Sequence, residues 1–335
     1  MNHRRAATRG LSLRVAVTLR YQMFSLIQKW LSFVRFSHTV FALPFALAAM
    51  VVAARADRGW PGWRTFGLIL AAMVCARTCA MAFNRIVDRK FDALNPRTAR
   101  RHLPAGEISL VGAWMLWALS GAGLIAASWF LNPLCFYLSP VALVVICFYS
   151  LTKRFTDYTH VFLGIALALA PVGAWLAVRG EFGFHAPLSD GDQVSGWIAQ
   201  IATGFTPIVL ALAVIFWLIG FDIIYALQDY EFDRAHGLHS LVVAWGPANA
   251  LRAAFLAHMV MCGLLALFGF MCGFRVAYIV GWLLIVLCLV LEHWIARRRS
   301  LHWINTAFFR LNAVVSMIFL VVVIGEVVLR GFRLR

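Results

Sequence analysis

The sequence predicts an all-α membrane protein with about nine transmembrane helices, and three observations support that fold class. Hydrophobic residues make up 62% of the 335 residues and charged residues only 13%, whereas about a quarter of the residues in a soluble domain are charged. The mean hydropathy is +0.82. Apolar runs of about 18 or more residues recur along the chain, and each is long enough to cross a bilayer as a helix.

The apolar runs define the nine expected helices in chain order. Their expected bounds are residues 37–54, 66–83, 112–130, 134–151, 160–178, 204–222, 249–272, 276–296 and 312–330. Asn132-Pro133 marks the turn between the third and fourth helices, because this dipeptide is typical of turns. Longer polar segments follow the second and sixth helices, at residues 84–111 and 223–248.

The chain begins with a basic segment. Residues 1–30 contain several Arg and Lys residues and no acidic residue. We expect them to form an extension in front of a single membrane domain at residues 31–335. A mitochondrial transit peptide has this kind of composition, and so does a polybasic segment that is attracted to anionic lipids. The sequence leaves both interpretations open.

The formal net charge of +16 is concentrated in the polar segments on one side of the expected bundle. The positive-inside rule places those segments in the cytoplasm, which predicts a multi-pass protein of a bacterial cytoplasmic (inner) membrane. The partner that this distribution indicates is a lipid bilayer and not a nucleic acid, and no particular protein partner is indicated. The basic residues concerned are Arg85, Arg89, Lys90, Arg97, Arg100, Arg101, Lys153, Arg154, Arg234, Arg252, Arg297, Arg298, Arg299 and Arg310.

Two acidic clusters lie beside expected membrane helices, where carboxylates are costly and usually functional. Both clusters have the spacing of one helix face, since a helix turns about 100° per residue. The first consists of Asn84, Asp88 and Asp92, and the second of Asp222, Tyr225, Asp229 and Asp233. Glu231 falls nearly opposite the second face. We therefore expect the two faces to meet across a cavity that opens to the cytoplasm, without Glu231.

Facing carboxylates repel one another unless they are protonated or a cation bridges them. Mg²⁺ prefers oxygen ligands and typically binds one or two carboxylates together with waters and phosphate oxygens of a substrate. The two clusters therefore predict a Mg²⁺ site for a diphosphate, and a long hydrocarbon tail on that diphosphate explains the membrane helices. The cations expected to neutralise the phosphate oxygens are Arg97, Arg101, Lys153 and Arg154.

These residues resemble the motifs of the UbiA superfamily of intramembrane prenyltransferases, over nearly all of the chain from about residue 30. The first family motif, Asn-Asp-x-x-Asp-x-x-x-Asp, is similar to the segment with Asn84, Asp88 and Asp92. The second, Asp-x-x-Tyr-Ala-x-x-Asp-x-x-x-Asp, is matched from Asp222 to Asp233. A Tyr-x-x-x-Lys-Arg element is matched at Tyr149, Lys153 and Arg154, and the first motif continues through Arg97 and Arg101.

The resemblance implies a helical bundle around a central cavity and a Mg²⁺-dependent aromatic polyprenyltransferase. The donor would be a polyprenyl diphosphate and the acceptor an aromatic acid, 4-hydroxybenzoate, in the biosynthesis of ubiquinone or menaquinone. The catalytic metal ligands would be Asp88, Asp92, Asp222, Asp229 and Asp233. The residues implied to bind substrate are Asn84, Arg97, Arg101, Tyr149, Lys153, Arg154 and Tyr225.

Arg85 departs from the family pattern, which usually has Asp at this position. A step of one residue puts Arg85 about 100° away from the carboxylate face, so we expect the metal site to keep its ligands. The departure favours a different subgroup and leaves a second acceptor open, 1,4-dihydroxy-6-naphthoate in the futalosine pathway to menaquinone. A remote alternative is an ion-coupled transporter, although transporter acids usually lie near the bilayer midplane.

Overall fold

The structure is a computed structural model that describes residues 24–35, 39–184, 193–297 and 301–329. The described residues form helices, turns and loops and contain no strand. The helices are α1 (24–33), α2 (Thr39–Ala53), α3 (Trp63–Leu94), α4 (Leu110–Leu131), α5 (Pro133–Phe148), α6 (Thr159–Arg179), α7 (Gln193–Ala226), α8 (Tyr230–Ala235), α9 (Leu241–Met271), α10 (Val276–Arg297) and α11 (Leu301–Val328).

The predicted all-α membrane fold is confirmed. Eight helices of the described residues are long and apolar enough to cross a membrane, and they correspond to the second to ninth predicted helices. The first predicted helix, 37–54, corresponds to α2, whose 15 residues fall short of the roughly 17–25 that a bilayer requires. Several helices extend beyond the apolar runs, since polar residues can continue a helix outside hydrocarbon. α3, for example, continues to Leu94 and carries the first acidic cluster.

The turn predicted at Asn132-Pro133 is confirmed and has a clear local cause. The Asn132 side chain accepts a hydrogen bond from the backbone N–H of Cys135, which caps the first turn of α5. Pro133 occupies the first position of α5, where its missing N–H is not needed. Asn132 Nδ2 also donates to the carbonyl oxygen of Leu176 at 2.8 Å. This residue therefore joins the α4–α5 turn to α6.

The spacing of the second acidic cluster predicted one continuous helix, and this prediction is wrong. α7 ends at Ala226, a 3₁₀ turn covers Leu227–Asp229, and α8 follows. Asp229 within this turn accepts hydrogen bonds from two side chains of the segment after α3. A tighter turn is common where a helix ends, and here it coincides with the point at which contacts from another part of the chain hold the backbone.

The largest buried cluster centres on α7, which packs against α6 and α9. Trp217 of α7 is 1% exposed, and its ring lies 4.9 Å from that of Phe45 in α2. Its indole N–H donates to Asn312 Oδ1 of α11 at 2.7 Å. Lipid supplies no hydrophobic force between helices, so close packing and such hydrogen bonds hold a membrane bundle together.

Part of the predicted N-terminal extension, residues 1–23, lies outside the described residues, and so do Arg298 and Arg299. Within α1 and the turn after it, Phe33 and Val34 are buried against α3 and α4. The division of the chain at residue 30 stays a prediction.

A glycine allows α7 and α9 to approach closely, and we expect its replacement to destabilise the bundle. A Cβ atom at Gly220 would lie 2.3 Å from His258 Nε2 and 2.9 Å from the carbonyl oxygen of Ala254. Gly220→Ala should lower the free energy of unfolding by about 1–3 kcal/mol, the usual range for overpacking. SDS-induced unfolding in mixed micelles measures this change. Gly263→Ala is the control, because a Cβ there meets nothing within 4 Å; equal effects would contradict the expectation.

Candidate active site

A polar cavity of about 280 Å³ lies where α3 and α7 end. The 3₁₀ turn Tyr149–Arg154 and the segment that follows α3 complete its walls. All twelve residues that the sequence predicted for the site line this cavity: Asn84, Asp88, Asp92, Arg97, Arg101, Tyr149, Lys153, Arg154, Asp222, Tyr225, Asp229 and Asp233. Glu231 is exposed and does not line it.

The first cluster is ordered along α3 by its four-residue spacing. Asn84 Nδ2 donates to Asp88 Oδ2 at 2.8 Å, one helical turn away. Asp92, a further turn along, pairs with Arg101 at 2.6 Å. The Asp92 side chain is 9% exposed, so this carboxylate is held in a largely dehydrated position at the edge of the cavity.

The segment after α3 folds back over the cavity because Asn95 organises it. The Asn95 side chain accepts a hydrogen bond from the backbone N–H of Arg97 at 2.9 Å, and Thr98 Oγ1 donates to the carbonyl oxygen of Asp92 at 3.0 Å. Asn95 Nδ2 also donates to Asp229 Oδ1 at 3.2 Å. Asn95 thus ties this segment to Asp229 of the second cluster, while Thr98 ties it to the end of α3.

Arg97 spans the cavity from this segment to the turn after α7. Its Nε donates to Asp229 Oδ1 at 2.9 Å and its Nη2 to Asp229 Oδ2 at 2.5 Å, a two-point contact. Nη1 donates to the Tyr225 hydroxyl at 3.1 Å. Burial tends to lower the pKa of the Arg97 guanidinium, but the hydrogen bonds and charge interactions with Asp229 and Tyr225 together outweigh it and raise the pKa above its ordinary value.

The 3₁₀ turn Tyr149–Arg154 brings two more cations to the carboxylates. Lys153 Nζ lies 3.4 Å from Asp233 Oδ2, and Arg154 Nη2 lies 3.6 Å from Asp88 Oδ1. Arg154 also donates to the carbonyl oxygen of Val87 at 2.7 Å. The turn therefore contacts both acidic clusters.

Each of the five carboxylates has a basic partner. Four are paired with Arg or Lys, and Asp222 Oδ2 lies 2.6 Å from His160 Nδ1. Oxygen-rich carboxylates around one cavity are the donors that Mg²⁺ prefers, and Asp92 Oδ2 is buried without a hydrogen-bond partner. Within the described part of the chain, no three His, Cys, Asp or Glu side chains converge closely enough to hold a metal ion.

The sequence did not predict Arg77, Arg85 or His160 as site residues; the first two line the cavity, and His160 lies beside it against Asp222. Arg85 was placed off the carboxylate face, yet it lines the cavity and is 5% exposed, because the cavity extends around more than one face of α3. Arg77, two turns before Asn84, also lines it, and its Nε is buried without a hydrogen-bond partner. His160 carries no motif spacing. Arg77 could have been found from its position, because a basic residue two helical turns before Asn84 lies on nearly the same face of α3.

A second, mainly apolar cavity of about 260 Å³ lies beside the polar one, between α2, α3, α4, α5 and α6. Arg77, Tyr149 and Leu167 line both cavities. The remaining lining of the second cavity is largely Ala, Leu, Ile, Val and Met. A polar site and a hydrocarbon-compatible space therefore share a wall inside the bundle.

This arrangement agrees with a comparison to known families. The model of the UbiA prenyltransferase family matches residues 42–314. The chain belongs to that family. Its membership confirms the resemblance of the sequence motifs, makes the chain a prenyltransferase, and leaves the transporter alternative without support.

Curated relatives and solved structures cover most of this UbiA-family chain. The 4-hydroxybenzoate octaprenyltransferase of Tolumonas auensis is 29% identical, over 79% of this chain and 85% of that protein; that of Paraburkholderia phytofirmans is 27% identical, over 83% and 89%. The apo structure of a UbiA homologue from Aeropyrum pernix has a TM-score of 0.71 at 31% identity, covering 88% of this chain and 98% of that one. A UbiA homologue from Archaeoglobus fulgidus, solved with DMAPP and Mg²⁺, has a TM-score of 0.63 at 22% identity, covering 88% and 99%, and shows the same fold.

The contact between Arg97 and Asp229 should stabilise the protein measurably. Arg97→Leu leaves the Asp229 carboxylate without its two-point partner, so we expect the free energy of unfolding to fall. The loss should be about 1.5 kcal/mol, the lower end for hydrogen bonds to charged groups, because the Arg97 side chain is 31% exposed. SDS-induced unfolding measures it. Arg100→Leu is the matched control on an exposed neighbour, and an equal loss there would contradict the role of the contact.

Proposed function

We propose that this protein transfers a polyprenyl group from a polyprenyl diphosphate to 4-hydroxybenzoate, as the names of its curated relatives suggest. The observation that carries the proposal is a cavity lined by five carboxylates and four paired cations that shares a wall with an apolar cavity. The polar cavity suits a diphosphate and the apolar cavity suits its hydrocarbon tail. Few other substrates need both environments side by side.

The cavity residues can perform the chemistry of prenyl transfer. When the C–O bond to the diphosphate breaks, Arg97, Arg101, Lys153 and Arg154 stabilise the negative charge that develops on the leaving group. The apolar wall keeps water away from the allylic cation until the ring carbon ortho to the acceptor hydroxyl attacks it. That carbon then loses its proton to the released diphosphate, which restores the aromatic ring. Asn84 and Tyr225 orient the diphosphate or the water around it. The Tyr149 side chain lies where head group and tail meet.

A divalent cation belongs to this proposal. We infer that Asp88, Asp92, Asp222, Asp229 and Asp233 supply its oxygen ligands, and the Mg²⁺ bound with DMAPP in the Archaeoglobus fulgidus homologue supports that choice of metal. Bound Mg²⁺ supplies Lewis acidity at the diphosphate oxygens. Without substrate, four of the carboxylates pair with Arg or Lys. When metal and diphosphate bind, the carboxylates would pair with the metal ion and the Arg and Lys side chains with the phosphate oxygens.

The charge of the cavity supports an acidic acceptor. Arg77 and Arg85 line the cavity, and neither forms an ion pair with a carboxylate of the described residues. An anionic group placed beside them would offset two partly dehydrated guanidinium charges. A benzoate carboxylate meets this requirement. So does the carboxylate of 1,4-dihydroxy-6-naphthoate, which remains the alternative acceptor of the same chemistry.

We propose that the cavity opens to the cytoplasm of a bacterial inner membrane. The basic side chains that favour this orientation, among them Arg89, Lys90 and Arg100, lie on or just after the polar end of α3 and are exposed. Exposed Lys and Arg residues close to membrane helices favour the cytoplasmic side.

Removing one carboxylate from either cluster should abolish transfer. Asp88→Ala and Asp229→Ala each remove a proposed metal ligand, so we expect Mg²⁺-dependent product formation to fall by a factor of about 1,000 or more, while the protein still inserts into membranes. The assay offers purified membranes a polyprenyl diphosphate, Mg²⁺ and each aromatic acid separately. Glu231→Ala, which alters an exposed acid of the same region, should retain activity. Full activity in both Asp variants would overturn the proposal.

Arg85 should affect the acceptor and not the donor. Arg85→Met removes a charged hydrogen-bond donor worth about 1.5–3 kcal/mol, so we expect the KM for the aromatic acid to rise by about 10- to 100-fold. The KM for the polyprenyl diphosphate should stay unchanged. Arg89→Met is the control, because Arg89 is exposed on the same helix. A rise confined to the KM for the polyprenyl diphosphate would contradict the assignment of Arg85. In the unaltered protein, the aromatic acid with the higher kcat/KM identifies the acceptor.

A further inference from the structure

His160 is a buried side chain that contacts the candidate site from outside the cavity. It lies in the first turn of α6 and is 0% exposed. Its Nδ1 lies 2.6 Å from Asp222 Oδ2 of α7. Asp222 lines the polar cavity, whereas His160 does not. The imidazole therefore contacts this carboxylate from outside the cavity lining.

The partner of Asp222 differs in kind from those of the other carboxylates. Among the described residues, Asp88, Asp92, Asp229 and Asp233 pair with long Arg or Lys side chains, and Asp222 pairs with none of these. Arg and Lys side chains have several rotatable bonds and can turn to a phosphate group. An imidazole has two rotatable bonds, and packing around His160 leaves it no open space. Asp222 is thus the carboxylate whose partner is least able to leave.

The hydrogen bond also defines which nitrogen carries a proton. Nε2 of His160 is buried and has no hydrogen-bond partner. A buried N–H without an acceptor is unfavourable, so the tautomer that fits has its proton on Nδ1, where it is donated to Asp222.

We propose that His160 is a positioning residue that fixes the orientation of Asp222, so that this carboxylate is already directed for a divalent cation before substrate binds. The inference rests on the proposed function, because it takes Asp222 as a metal ligand. Side chains that hydrogen-bond a metal-binding carboxylate orient it, and their loss typically weakens metal affinity by about 10- to 100-fold. Within the described residues, Asp222 accepts no other side-chain hydrogen bond.

Two variants test the hydrogen bond apart from packing, because the smaller one keeps the donor and the larger one keeps the shape. His160→Asn keeps an N–H donor near the position of Nδ1, and His160→Leu keeps a similar shape without any donor. The probe is Mn²⁺ with geranyl S-thiolodiphosphate, whose tail transfers only slowly, and the free metal is followed by electron paramagnetic resonance in detergent. We expect His160→Leu to weaken Mn²⁺ binding by about 10- to 100-fold and His160→Asn to retain most of the affinity.

A second His–Asp pair provides the matched control. His239 Nδ1 lies 3.0 Å from Asp157 Oδ1, outside the cavity lining and partly exposed. His239→Leu should leave the Mn²⁺ affinity unchanged. In addition, the effect of His160→Leu should disappear in an Asp222→Ala background, because a residue that acts through Asp222 has nothing left to position.

Each outcome decides the role of His160. Equal losses in the Asn and Leu variants, or a loss that persists without Asp222, would show that only packing matters and would overturn the proposal. If His160→Leu does not fold, His160→Ala is titrated with added imidazole. The added imidazole should restore the Mn²⁺ affinity. A failure to restore it would overturn the proposal. Native protein that binds no Mn²⁺ with the analogue would contradict the proposed function itself, whereas unchanged affinity in His160→Leu contradicts only the inference on His160.

Discussion

Five carboxylates share one small cavity beside a hydrocarbon-compatible space, and their mutual repulsion is the constraint on which the site is built. Four of the carboxylates are offset by an Arg or Lys side chain, and the fifth, Asp222, is hydrogen-bonded to His160. The segment after α3, the turn Tyr149–Arg154 and the start of α6 are therefore held together by their contacts with these carboxylates. A bundle with the same helices but without these contacts would bring like charges together in a poorly hydrated place.

The same charges hold the parts of the two polar segments that lie between the long helices. Asn95 bonds to Asp229 of the second cluster, and Thr98 of the same segment bonds to the backbone of Asp92. Arg154 contacts Asp88 and also donates to the backbone of α3. Such contacts replace the hydrogen bonds that a continuing helix would supply. The local backbone thus depends on the electrostatics of the site as much as the site depends on the backbone.

Much of this could be predicted from the sequence, because its signals are periodic. Apolar length located the helices, and the spacing of Asp88 and Asp92 placed them on one face of α3. What the sequence could not provide came from contacts across the bundle. The break at Leu227–Asp229 is held by side chains more than a hundred residues away. The buried position of Arg85 depends on how the cavity curves around α3. His160 contacts Asp222 only because α6 packs against α7.

The turn Tyr149–Arg154 has a further consequence for the molecule. One end of this six-residue turn borders the apolar cavity through Tyr149, and the other end reaches both acidic clusters through Lys153 and Arg154. For the substrate proposed above, a charged head at Lys153 and Arg154 would put the first prenyl carbons beside Tyr149. The length of the turn would then fix where the charged part of the substrate ends and the hydrocarbon begins, whatever the total length of the tail.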